Sequence, residues 1–212
     1  MGYVFDGIFD SQDEIDNDPI NYSYNPIPGD VRYVDVNGDG ILNSNDRTVV
    51  GRGTTPEWMY GLNLTAEWKG FDFTMFWQGA AGFVQNMNNW ERIVNPSGNR
   101  TPYVYVHENT WTETNKENAL FPARWNGWNN TTTDEYLADS KYIRLKNLVI
   151  GYTLPKTVLS KVGLQSARVY VAGQNLITFD ALGIFGEFDP ENNGFGGYPQ
   201  QKVLTMGINL SF

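Results

Sequence analysis

The run WMYGLNLTAEW, Trp58 to Trp68, is followed after Lys69 and Gly70 by FDFTMFWQGAAG, Phe71 to Gly82. In the first, Trp58, Tyr60, Leu62, Leu64, Ala66 and Trp68 share one face, while Gly61, Asn63, Thr65 and Glu67 share the other. That period of two belongs to a β-strand with one oily side. In the second, Phe71, Phe73, Met75, Trp77 and Gly79 alternate with Asp72, Thr74 and Gln78, and Phe76 interrupts the pattern. Two intervening residues suit a tight hairpin connection, so the pair predicts an antiparallel hairpin.

Three later stretches read the same way. KYIRLKNLVIGYTLP, Lys141 to Pro155, sets Arg144, Lys146 and Tyr142 against Ile143, Leu145 and Val149, and Pro155 ends it. ARVYVAGQNLIT, Ala167 to Thr178, has mixed faces around Val169, Tyr170, Val171 and Ala172. In the last, Leu204, Met206, Ile208, Leu210 and Phe212 oppose Thr205, Gly207, Asn209 and Ser211. The expected strands cover about 57–68, 71–81, 141–153, 167–178 and 201–212, each long enough to cross a bilayer obliquely. Trp68 and Phe71 are expected at one interface, Trp58 and Trp77 nearer the other.

Composition agrees with sheet. Aromatic residues make up 15% of the 212 residues and Gly numbers 22. A formal charge of -9 argues against nucleic acid as a partner, and the absence of Cys removes disulfides, thiolate nucleophiles and zinc-thiolate sites. No apolar run is long enough for a transmembrane helix. The opening MGYVFDGIFDSQDEI does not read as a signal peptide, so the chain is expected either to be cytoplasmic or to begin elsewhere.

Alternation alone leaves a soluble β-sandwich and a membrane barrel both open. The connections separate them, because the short links at Lys69–Gly70 and after Pro155 alternate with long ones at 82–140 and 179–200. Outer-membrane barrels have short periplasmic turns and long outer loops, and compact soluble domains seldom carry so long a loop. The first strand then descends from an extracellular segment, 1–56. Five strands cannot close a barrel, so the predicted fold is all-β, a fragment of a larger antiparallel transmembrane barrel.

Three motifs, in order, resemble the C-terminal end of SusC/RagA-type TonB-dependent outer-membrane transporters of Bacteroidetes. They are GDVRYVDVNGDGILNSNDRTVVGRGTTPEWMYGLNLTAEWKGFDFTMFWQGAAG, then YIRLKNLVIGYTLPKTVLSKVGLQSARVYVAGQNLITF, then GYPQQKVLTMGINLSF. The resemblance implies the last five strands of a 22-stranded transmembrane barrel in the cell outer membrane. It also implies a SusD-like surface lipoprotein as partner, TonB acting through an N-terminal region outside these residues, and oligosaccharide or peptide cargo. Phe212 looks like the assembly signal of such barrels, or an aromatic interface anchor. The alternative is a secreted, calcium-stabilised, carbohydrate-binding β-sandwich.

One stretch has metal-ligand spacing. In DVNGDGILNSND, Asp35, Asn37 and Asp39 precede Gly40, the Ile41 carbonyl takes the seventh position, Asn43 the ninth and Asp46 the twelfth. This is the pattern of an EF-hand-like Ca²⁺ loop at 35–46, with Asp46 where a longer Glu usually closes the site. The alternative is an Asx-rich turn held by its own side chains, with no ion. With Ca²⁺ bound, the loop braces an extracellular segment.

Tyr22, Tyr24, Trp90, Tyr103, Tyr105, Trp111, Trp125 and Trp128 crowd the expected outer regions, where they either stack on ligand or pack the loops together. His107 has no triad partners, and the adjacent Asp134 and Glu135 read as a solvated turn. No enzyme is expected.

Overall fold

The computed structural model describes residues 1–87, 104–123, 128–129, 131–160, 163–192 and 198–212. The chain divides into two compact units, Met1–Arg52 with Asn86–Ala138, and Gly53–Gln85 with Asp139–Phe212.

The first unit is assembled from short pieces. Strand β1 (Phe5–Ile8) pairs antiparallel with β3 (Val31–Tyr33), and β2 (Asn21–Tyr22) pairs parallel with β4 (Ile41–Leu42). A five-residue helix, Gln12–Asp16, starts where the Ser11 hydroxyl accepts the Glu14 N–H at 3.2 Å. Tyr3, Val31, Tyr33 and Leu42 form a buried cluster, with Phe5, Ile20, Tyr22, Tyr24 and Trp128 packed against it. Distant stretches are tied by buried polar bonds: Asn129 donates to the Asp30 carboxylate and accepts the Val31 N–H, both at 2.9 Å. Buried backbone and carboxylate groups need such partners, because an unmade bond there costs about 1–3 kcal/mol. The expected single segment 1–56 is therefore completed by residues from the long 82–140 connection. Two three-residue strands, β7 (Val84–Asn86) and β8 (Leu137–Asp139), lie where the chain passes between units.

The second unit is a five-stranded antiparallel sheet. Its members are β5 (Trp58–Trp68), β6 (Phe71–Ala81), β9 (Tyr142–Thr153), β10 (Ser166–Asp180) and β11 (Val203–Ser211), in the order β11-β10-β9-β6-β5. The β5–β6 turn has φ above zero at both Lys69 (48°) and Gly70 (89°), the type I′ pattern that matches strand twist. Among the described residues the sheet is open, with β5 and β11 at its edges, and it forms no closed barrel.

Register makes the faces clean. Leu64 lies opposite Met75, Met75 opposite Leu148, Ile150 opposite Val171, and Val171 opposite Met206. Asn63, Thr65, Glu67, Asp72, Thr74, Gln78, Arg144, Arg168, Thr205 and Asn209 fall on the opposite side by the same pairing.

Two expectations change. The β6–β9 register slips between Phe76 and Trp77, so that Lys146 is an extra residue in a bulge. The bulge shifts the alternation, placing Leu148, Ile150 and Tyr152 on the apolar face and Val149, opposite Thr74, on the polar one. Phe76 is a polar-face residue opposite Asn63, its ring 3.2 Å from where a Cβ on Gly61 would stand. Trp77 pairs with Leu62 rather than lying level with Trp58, whose partner is Ala81, so Trp77 is not at the strand end.

Candidate functional site

The loop with metal-ligand spacing is held by its own amides. The Asp35 carboxylate accepts the Gly38 N–H at 2.8 Å and the Gly40 N–H at 2.7 Å, and Asp39 accepts the Ile41 N–H at 2.9 Å. Gly40 turns the chain with φ of 78°, where a side chain would strain the backbone. Asp46 is fully buried and accepts N–H groups from Val36 at 3.1 Å and Asn43 at 2.8 Å. Asn37 and Asn43 serve as further turn acceptors, and the Ile41 carbonyl takes a bond from the Asn43 amide at 3.1 Å.

The Gly40 N–H, joined by that of Gly38, holds the Asp35 carboxyl below the usual carboxylate range. Among the described residues no three His, Asp or Glu side chains converge as a metal-holding group. The donor chemistry of carboxylates, amide oxygens and one carbonyl is that of a hard cation such as Ca²⁺. Each carboxylate oxygen offers two lone-pair sites, so one amide bond leaves capacity for another partner.

A charge cluster that sequence reasoning missed stands on the polar face of the sheet. Arg144 donates through Nη2 to Asp189 at 2.8 Å and through Nε to Thr178 at 2.8 Å, and its Nη1 lies 3.3 Å from Glu191. Lys146 reaches Glu191 at 2.6 Å from the same side of β9 as Arg144. The Gln200 N–H at 2.7 Å and the Glu191 N–H at 2.9 Å complete the shell of Asp189. Gln85 donates to the Pro190 carbonyl at 2.7 Å. Burial pushes Asp189 up, but Arg144 and the two amides outweigh it and hold the carboxyl below its ordinary range. The sequence signal was Arg144 and Lys146 on a strand's polar face, with acids at 189 and 191 unassigned in the following loop.

A second pair crosses the same face. Arg168 on β10 meets Asp72 on β6 in a two-pronged bridge, with Nε to Oδ1 at 2.8 Å. It passes over Gly151 of β9, where a Cβ would stand 2.4 Å from both partners.

The outer-region aromatics divide. Trp128 stacks on Tyr24 with centroids 4.8 Å apart, Tyr22 meets Phe9 edge-on at 5.5 Å, Tyr105 meets Phe121 at 6.1 Å, and Trp111 is buried with its indole N–H on Asp10. These rings pack the first unit. Trp90, Tyr103 and Trp125 lie outside the described residues. His107 is exposed in the short helix Val104–Glu108, Asp134 accepts the Phe5 N–H at 2.8 Å, and burial raises the Glu135 carboxyl pKa.

No family model matches the chain. TonB-dependent receptor P3 of Formosa agariphila is 32% identical over 225 residues, covering 100% of this chain and 22% of that protein. TonB-dependent receptor SusC of Bacteroides thetaiotaomicron is 24% identical over 198 residues, covering 90% of the chain and 18% of SusC. This chain belongs to the SusC/RagA-type TonB-dependent receptors. The RagAB peptide transporter structure shares its fold, with a TM-score of 0.71 and 23% identity over 100% of this chain and 22% of that one. SusC/RagA-type receptors are outer-membrane proteins, and the chain spans about a fifth of the length of the curated relatives it matches.

Proposed function

We propose that the second unit is five adjacent strands of a 22-stranded outer-membrane transporter barrel. Its apolar face meets lipid and its polar face lines the lumen. The observation that carries this is the exposure of the apolar face: Trp58 is 69% exposed, Leu204 75%, Met206 83% and Ile208 67%. Leaving one such side chain in water costs about 1.5–3 kcal/mol relative to burying it. A handful would cancel the ~5–15 kcal/mol net stability of an ordinary domain. A sandwich needs a second sheet over this face, and none covers it among the described residues. The first unit, irregular and rich in acids, belongs outside the hydrocarbon, where its backbone can be solvated.

The whole receptor then imports oligosaccharide or peptide with a SusD-like lipoprotein, energised through TonB, without covalent chemistry. The RagAB relative is a peptide transporter, which supports the peptide class, and the oligosaccharide class rests on the family resemblance alone. Fractionation of the full-length receptor tests the membrane reading: it is expected in the outer membrane, released only by detergent. Recovery as a soluble species would overturn it. Co-purification with a lipoprotein, followed by binding to glycans and to peptides, decides the cargo.

The 35–46 loop, in this reading, takes a structural Ca²⁺ through Asp35, Asn37, Asp39, Ile41, Asn43 and Asp46. Support comes from the ligand spacing and from Asp35 being held ionised. Asp35→Ala with Asp39→Ala is expected to lower Ca²⁺ affinity at least tenfold by calorimetry on the full receptor, leaving barrel insertion intact. Unchanged affinity in the double variant would leave the Asx-rich turn as the whole explanation.

A further inference from the structure

The apolar face is not evenly filled. On β10 its residues between Ala167 and Gly173 are Ala167, Val169, Val171 and Gly173, all small, before Ile177 and Phe179 follow beyond the irregularity, while the neighbouring strands carry large ones. Tyr152 and Ile208 flank Val169, Ile150 and Met206 flank Val171, and Leu148 and Leu204 flank Gly173. A row of short side chains between two rows of long ones is a trough. The part at Val169 and Val171, with Phe71 at one wall, has a volume of about 470 Å³.

The Leu176 side chain lies over Gly173, 2.5 Å from where a Cβ would stand, so the open trough runs from Ala167 to Val171. From Val171 to Ala167 is roughly 14 Å at about 3.4 Å per residue. At the ~35–45° tilt of barrel strands this spans about 10 Å of depth, a third of the ~30 Å hydrocarbon core.

Charge at its mouth is sorted. The Leu154 N–H bonds the Ala167 carbonyl at 2.9 Å, which puts Lys156, exposed at the start of helix Lys156–Leu159, at the turn-side end. The Gly70 carbonyl accepts the Thr153 N–H at 2.8 Å, so Lys69 joins the same rim. The Lys69 ammonium lies 4.9 Å from the Trp68 ring centroid. The described residues of these two turns contain no Asp or Glu, in a chain with 24 acidic residues. At the other ends of the strands lie Glu57, Asp139, Asp180, Glu187, Asp189 and Glu191.

We propose that the β10 trough seats an acyl chain of an anionic phospholipid whose phosphate is met by Lys69 and Lys156. The proposal rests on the membrane reading above. Apolar walls supply affinity for the chain, and two cations at the mouth supply preference for negative headgroups, at about fivefold per lysine.

The test uses the full receptor in nanodiscs of phosphatidylcholine containing a minor fraction of phosphatidylglycerol, with retained lipid counted by native mass spectrometry after detergent exchange. Phosphatidylglycerol is expected to be retained in excess. Lys69→Glu with Lys156→Glu is expected to remove the preference, on the order of twentyfold, while Lys202→Glu at the opposite end leaves it unchanged. Val169→Phe with Val171→Phe fills the trough and is expected to lower retention of both lipids. Equal retention of the two lipids by the unaltered receptor, or undiminished retention with the trough filled, overturns the proposal while leaving the membrane reading intact. A receptor that stays soluble without lipid overturns both.

Discussion

Arg144→Met is expected to release the connection after β10 from the sheet at a cost of about 3–5 kcal/mol. Both members of the Arg144–Asp189 pair are almost wholly buried, at 3% and 5% side-chain exposure. Removing the cation leaves a desolvated carboxylate with two amide donors and no counter-charge. The released segment would then be open to protease, and limited proteolysis of the full receptor followed by mass mapping should find new cuts at 181–192. Arg144→Met combined with Asp189→Leu and Glu191→Leu should recover much of the protection, because a buried ion cluster is replaceable by apolar packing far more cheaply than it is broken. Unaltered proteolysis in the single variant would show that the cluster does not hold the loop.

The same pair predicts an acid limit. Asp189 has its carboxyl pKa lowered in the folded state. Its contribution is therefore present above the unfolded value of about 3.9 and is lost as pH falls through the depressed folded value. Protection of the loop should persist through pH 5 and fail only below the ordinary Asp range. Loss between pH 6 and 7 would assign the latch to another group.

What the sequence revealed of this fold was the part governed by local periodicity. Trp58 to Trp68 alternates without interruption, and Leu204 to Leu210 does the same, so their faces follow from spacing alone. At β9 the same rule misplaced Val149, because one extra residue at Lys146 shifts the phase, and at β10 the faces around Val169 stayed mixed because Tyr170 and Ala172 stand on the polar face. A bulge is a property of two strands together, and no single-strand pattern contains it. The first unit was illegible for a related reason. Its core joins Tyr3 and Tyr33 to Trp128, about a hundred residues on, through pieces of two to five residues that have no period to detect. The 35–46 loop was legible as a turn with metal-ligand spacing, but spacing could not tell that Asp46 would be buried as an acceptor of the Val36 and Asn43 amides. The Arg144 cluster required knowing that residues 189 to 191 fold back onto the sheet.

An arginine scan along β11 is expected to separate lipid from protein as the neighbour of the apolar face. Leu204, Met206, Ile208 and Leu210 point one way in succession, and Thr205 points the other, opposite Ala172. If lipid covers the face, the cost of each Leu, Met or Ile to Arg change depends on depth. Met206→Arg and Ile208→Arg, near the strand centre, should each lose about 2–4 kcal/mol, while Leu204→Arg and Leu210→Arg should fall toward about 0–1 kcal/mol. Thr205→Arg, facing the lumen, should change little. A packed protein core gives a different profile, because a buried unpaired charge is costly wherever water is excluded and no bilayer interface lies near the strand ends. Size changes sharpen the contrast. Leu204→Phe overpacks a core at about 1–3 kcal/mol, yet a fluid acyl layer yields to the larger ring. The measurement is the denaturant midpoint of the full receptor refolded into bilayers, one variant at a time. A profile peaked at Met206 and Ile208 with Leu204→Phe tolerated fits the barrel wall. A flat profile with Leu204→Phe destabilising would return the face to a sandwich core.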